Sequence, residues 1–283
     1  RRGPGGRRVN RTVTASASAI TALANAALAR VATRQARVPL DEIKARALDR
    51  PAPLNGKEAL GSEHIVVVAE LDPAHAAPGQ LAEEYEAGGA GVIAVPVRPG
   101  ANGVGSSLTA MNDANVHTRT PLLCMDPVVS SYQLWEARAH GASLVLLAAS
   151  TLHDEALVSL VERAATVGLT PVVEVCSARD LVRALRANAH TLFLRPPQYV
   201  ADGSVQIQAT LAKLLPLVPN GVVRVTECGS TPRRDLISSA KLDADAILVG
   251  RTHLAEGAPR QAVADLVAVG SHPALSRRRE QAV

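Results

Sequence analysis

The 283-residue sequence predicts a closed (β/α)8 barrel preceded by helices, and three observations predict it. Eight short runs rich in Val, Ile and Leu recur from about residue 62 onward. Helical patterns separate them. Several of these end in Gly just before the next run, as a helix stop should. The runs are IVVVAE (65–70), GVIAVPV (91–97), PLLCM (121–125), SLVLLA (143–148), PVVEVC (171–176), TLFLR (191–195), VVRVTE (222–227) and AILVG (246–250). Continuous apolar strands alternating with helices imply a parallel sheet covered on both faces. Eight such units over roughly 200 residues imply closure into a barrel. The structural alternative is an open doubly wound sheet. No strand followed by GxGxxG supports it, and GANGVG after the second run does not fit that spacing.

The linking helices read as LAEEYEAGG, SYQLWEARAHG, DEALVSLVERAATVG, SARDLVRALRA and PRRDLISSAKLDA. Ahead of the barrel, ASAITALANAALARVATRQARVPLDEIKARAL reads as two helices broken at Val38-Pro39, expected to pack against it. The expected organisation is a basic flexible lead (1–20), a helical extension (21–61), the barrel (62–270) and a loose basic tail (271–283).

With 47% hydrophobic residues the chain can bury a sizeable core, but aromatics are only 2%, so Ala, Val and Leu must build it. No apolar run reaches the ~18–20 residues of a membrane span. The formal charge is +4, and Arg clusters at both ends, in RRGPGGRRVNR and SRRRE. No stacking aromatics accompany these clusters, which argues against nucleic acid and for solvated tails. The three Cys lack metal or disulfide spacing, and the expected location is a reducing cytoplasm.

In a barrel of this kind chemistry sits at the C-terminal ends of the strands. Side chains alternate, so the last inward residues matter: Glu70, Met125, Glu174, Arg195, Glu227 and Gly250. Three carboxylates converging on one mouth suggest a site. The plainer reading is that each pairs with a nearby Arg or Lys at the rim. Cys176 and Cys228 each follow a Glu-bearing strand end, where a thiol pair or metal site is one option and small apolar filler the other. Cys124 is expected to face the helices. His75 lies in the first loop, and Trp135 on a helix outside the barrel, where it reads as core.

SYQLWEARAHGASLVLL, DEALVSLVERAATVGLTPVVEV, YEAGGAGVIAV, AVADLVAVGSHPALS and the leading TRQARVPLDEIKARA resemble indole-3-glycerol phosphate synthase over about residues 30–275. The resemblance implies a (β/α)8 TIM barrel with an N-terminal helical segment. It also implies a lyase of tryptophan biosynthesis that closes the indole ring of an anthranilate-derived, carboxylated and phosphorylated substrate by decarboxylation and dehydration, without cofactor. That chemistry needs an acid for the carbonyl oxygen, a cation for the carboxylate, a second proton donor, and backbone N–H groups for phosphate.

Carried over residue by residue, Glu70, Glu174 and Glu227 match the family's glutamates. The family's Lys after the first strand is Asp72 here, and the loop that follows lacks Ser-Pro-Ser. Its Lys-Asp-Phe is Met125-Asp126-Pro127. Its Asn, then Arg, after the sixth strand are replaced in Arg195-Pro196-Pro197. Glu-Ser-Gly is Glu227-Cys228-Gly229, and the eighth strand ends Gly250-Arg251. A thioether at 125 can donate no proton, and Asp72 would repel a substrate carboxylate. The resemblance implies a phosphate site at Cys228, Gly229, Gly250 and Arg251, with no metal or cofactor. A phosphorylated small molecule is therefore the expected ligand, with a partner protein as a further occupant and no membrane. Three functions stay open: a barrel degenerate for the ring closure, an enzyme of altered chemistry built on Glu174, Glu227, Asp72 and Arg195, and a working synthase that brings Lys44 or Lys57 to the mouth.

Overall fold

The computed structural model describes residues 27–97, 103–126, 128–196, 203–254 and 257–275. The Arg-rich lead, the tail past 275, and Pro127, Pro197 and Glu256 lie outside the described residues. The strands are β1 (Val66–Glu70), β2 (Val92–Val95), β3 (Leu122–Cys124), β4 (Leu144–Ala148), β5 (Thr170–Val175), β6 (Thr191–Leu194), β7 (Val223–Glu227) and β8 (Ala246–Val249). Each pairs in parallel with the next, and β8 closes on β1 with Val66 opposite Ala246. The open sheet is thereby excluded.

Helices lie between and before them: α1 (27–37), α2 (Leu40–Leu48), α3 (Gly56–Leu60), α4 (Pro78–Ala87), α5 (Gly103–His117), α6 (Ser131–Ala139), α7 (Asp154–Thr166), α8 (Ala178–Arg186), α9 (Gly203–Leu214), α10 (Pro232–Lys241) and α11 (Pro259–Gly270). The break between α1 and α2 falls at Val38-Pro39. Proline has no N–H to donate and its ring disfavours helical geometry in the residue before it, so one helix stops and a second begins.

The continuous apolar runs divide into two sets because successive strand side chains face opposite ways. Val66, Val68, Leu123, Val172, Phe193 and Leu248 fill the barrel interior. Val67, Ile93, Cys124, Val173, Leu194 and Ile247 pack outward against the helices. Helix α3 seals the N-terminal end: Leu60 joins the interior cluster, and a Cβ on Gly56 would lie 2.4 Å from Leu144 Cγ. No larger residue fits there unless the Leu144 side chain gives way.

The helix stops share one device. Gly89, Gly141, Gly168, Asn188 and Asp243 all have positive φ, between 57° and 91°, at the ends of α4, α6, α7, α8 and α10. After each comes a buried apolar residue whose N–H reaches back into the last helical turn: Ala90 to Tyr85, Ala142 to Ala137, Leu169 to Ala164, Ala189 to Ala184, Ala244 to Ser239. This left-handed cap satisfies orphan carbonyls and turns the chain toward the next strand. Asn and Asp tolerate that backbone region better than other residues with a Cβ, which explains the two stops without Gly.

The extension is clamped to the top of β3. Tyr132 Oη donates to the Val38 carbonyl at 3.0 Å. Arg34 on α1 bonds Glu136 at 2.9 Å and Asp126 at 3.2 Å, and Gln133 donates to Asp126 at 2.8 Å. None of the described helices is long and apolar enough to cross a membrane.

Candidate active site

Pleat alternation turns the last inward residue at the end of a strand toward the C-terminal mouth. Met125 packs in the interior cluster above Leu123, one residue past the end of β3. Arg195 stands above Phe193, with its guanidinium 5.0 Å from the ring centroid. It is the hub of the mouth: it meets Glu174 at 2.8 Å and Glu227 at 3.4 Å. β5 and β7 are the immediate neighbours of β6, so one guanidinium spans both carboxylates. Arg195 and Glu174 are buried, and the Arg195 Nε has no hydrogen-bond partner. The rim pairing given above as the plainer reading is thus present for Glu174 and Glu227.

A second ion pair crosses the closure seam. The Arg251 guanidinium contacts Asp72 at 3.4 Å, and its backbone N–H points to Glu70 Oε2 at 3.4 Å. Asp72 also accepts from the Ala74 N–H at 3.0 Å, which folds the first loop into a tight turn. Glu227 ends the neighbouring β7, and Glu256 is the acid nearest to Arg251 in sequence. The structure pairs Arg251 with Asp72, and Glu256 lies outside the described residues.

Sequence reasoning missed Asp235. This carboxylate, in the first turn of α10, reaches back to accept the N–H groups of Gly229 at 2.9 Å and Thr231 at 3.3 Å. The loop amides suggested for phosphate therefore already hold an anion from the chain itself. The Thr-Pro-x-x-Asp spacing of residues 231–235 was the available signal, since acids in a first turn suit exposed N–H groups. Cys228 directs its thiol to the Gly229 carbonyl at 3.4 Å, and burial pushes that thiol up to about 12. Cys176 donates to Glu174 at 3.7 Å, and burial, reinforced by the Glu174 charge, pushes its thiol up too. Cys124 faces the helix layer. His75 is exposed and accepts from the Ala77 N–H. Trp135 is partly buried against the core. Among the described residues no group of three His, Cys, Asp or Glu could hold a metal.

Burial is the largest influence on three carboxyls and raises each. Glu227 is raised against the opposing Arg195 charge. Asp126 is raised against its Gln133 bond and the Arg34 charge. Glu136 is raised against Arg34. A carboxyl whose folded pKa exceeds its unfolded value, ~4, gives stability that is fully present below the unfolded value. That stability is lost as pH rises through the folded one. These three carboxyls are therefore expected to add to the melting temperature as pH falls toward their unfolded value, while His140, whose pKa burial lowers, works the other way below neutrality. Calorimetry on wild type and Glu227→Gln tests it: the variant should gain less as pH falls, and an identical profile would remove Glu227 from the account.

The chain matches the family model described as indole-3-glycerol phosphate synthase over residues 21–266. It is 42% identical over 258 residues to an indole-3-glycerol phosphate synthase of Streptomyces griseus, covering 88% of this chain and 94% of the relative. It is 40% identical over 259 residues to indole-3-glycerol phosphate synthase 1 of Streptomyces coelicolor, at the same coverage. Among solved structures, thiamine phosphate pyrophosphorylase from Pyrococcus furiosus superposes with a TM-score of 0.58 at 17% identity, covering 76% of this chain and 97% of that one. A 3-hexulose-6-phosphate synthase superposes at 0.57 and 16%, covering 73% and 99%. At those identities the structural likeness speaks to the fold alone.

Proposed function

We propose, since this chain belongs to the indole-3-glycerol phosphate synthase family, that it is a barrel of that family which no longer performs the ring-closing decarboxylation and keeps its mouth as a binding site. The carrying observation is where the cations are. The chain has four lysines: Lys44, Lys57, Lys213 and Lys241. Lys57 lies on α3, the plug at the N-terminal end. Lys213 and Lys241 close α9 and α10. Those helices run back from the mouth, so their last turns lie at the opposite end. Lys44 sits on α2 beside Asp41, on the outer side of α6. None can deliver a proton at the mouth. Arg195 cannot replace them, because an arginine stays protonated and here is held by two carboxylates.

A second reading, an ordinary synthase, is favoured by 42% identity over 88% of the chain and by the retained Glu70, Glu174 and Glu227. Turnover of the family substrate by purified protein, with growth rescue of a tryptophan auxotroph lacking the synthase, decides between them.

Retention of a phosphorylated ligand is supported by Gly229, Gly250 and Arg251 at the ends of the last two strands. Such a ligand would have to displace Asp235 from the Gly229 N–H. Calorimetric titration with ribose 5-phosphate is expected to give weak binding in wild type and tighter binding in Asp235→Asn, whose side chain carries no charge. Equal, undetectable binding by both proteins at millimolar ligand would end the phosphate reading.

A further inference from the structure

A groove with a volume of about 600 Å³ follows the outer face of α10, from Thr231 and Pro232 beside the loop after β7 to Lys241 at the far end of the helix, and Arg233, Arg234, Ile237 and Ser238 line it between them. The three cations are exposed, and none takes part in an ion pair among the described residues. The local acids are committed or turned away. Asp235, the one acid of α10, is buried and holds the Gly229 and Thr231 N–H groups. The neighbouring α9 has no acid and adds the exposed Lys213. On α11, Asp265 accepts from Gln261. Asp243, beyond the helix end, is exposed and makes no ion pair with Lys241. Pro273–Leu275 packs beside α10 and brings no acid to it.

We propose that this groove docks an acidic segment of a partner protein, one that lays an aliphatic side chain on Ile237 while its carboxylates meet Arg233, Arg234 and Lys241. From 233 to 241 the helix rises about 12 Å, room for two helical turns or a short extended stretch. Like charges held in one groove repel each other, and an occupant of opposite charge relieves that repulsion and is steered in by it. The half-buried Ile237 on the floor gives the occupant an apolar anchor. Nucleic acid would call for stacking aromatics, and the groove has none. A second copy could offer the exposed Glu83 and Glu84 of α4. That contact joins two different faces, so repeated it would assemble rings or open chains of the protein.

The test is fluorescence anisotropy with the full chain and a short labelled peptide of glutamate with leucine at every fourth position. Saturable, salt-sensitive binding is expected. Arg233→Glu combined with Arg234→Glu should weaken it at least ~tenfold, and Ile237→Ser should weaken it as well. If the double variant melts early, Lys241→Glu at the far end of the helix carries the same test. Absence of saturable binding, equal binding by the charge-reversed protein, equal binding of a glutamine–leucine peptide, or tighter binding of single-stranded DNA would overturn the proposal. So would particle growth with protein concentration in light scattering, which would make a second copy the occupant.

Discussion

Purified protein supplied with the family substrate is expected to turn over at ~10⁻⁵ s⁻¹ or slower, against ~10 s⁻¹ for an ordinary enzyme. The expectation follows from what the mouth can donate. Loss of a general acid costs ~10²–10⁴ in rate, and loss of a substrate-holding cation costs further orders, without strict additivity. Met125 supplies no proton, and Asp72 presents a negative charge, already tied to Arg251, where the resemblance implies a cation. Arg195 draws Glu174 and Glu227 to itself, so neither carboxylate is free to act as acid or base without breaking a buried contact. Met125→Lys alone should restore little, because Asp72 and Arg195 would still stand where the resemblance implies a Lys and an Asn. Met125→Lys combined with Asp72→Lys and Arg195→Asn should restore more than the sum of the separate changes. Turnover near ~1 s⁻¹ by the unmodified protein, an ordinary enzyme value, would sink this reading and establish the synthase.

Arg195→Ala is expected to destabilise the fold by about 3–5 kcal/mol, the usual penalty when one partner of a buried ion pair is removed. Two carboxylates would then face each other in a low-dielectric mouth, over the ring that Arg195 now covers. In a chain of this size that corresponds to a fall in melting temperature of roughly 10 °C. Replacing all three members by apolar or amide groups, as in Arg195→Met with Glu174→Gln and Glu227→Gln, should recover most of the loss. Breaking the set is what costs; its intact form gives little net stability. If Arg195→Ala melts within a degree or two of wild type, the guanidinium is not buried between the two acids as described.

The barrel was legible from local chemistry alone. Eight apolar runs, the Val38-Pro39 break and the Gly stops each report a constraint within a few residues: a two-faced strand, a lost donor, a left-handed cap. Pleat alternation also sends Glu70, Met125, Glu174, Arg195 and Glu227 inward, because one peptide step reverses a side chain's direction whatever lies around it. The two stops at Asn188 and Asp243 carry no glycine signal and became plain only as backbone geometry.

The partners of these side chains were a different matter. Asp72 and Arg251 are 179 positions apart and meet only because β8 closes on β1. Arg195 spans Glu174 and Glu227 because closure in chain order makes β5 and β7 the neighbours of β6. Asp235 turns back onto Gly229 because the loop after β7 bends there, and composition is silent on that bend. The four lysines are spread along the sequence with no mark of which end of the barrel each would reach. Direction along a strand is a property of the covalent chain and its steric rules, and one sequence suffices to read it. Distance between charges is a property of the closed assembly, where burial and the absence of water decide which acid takes which base.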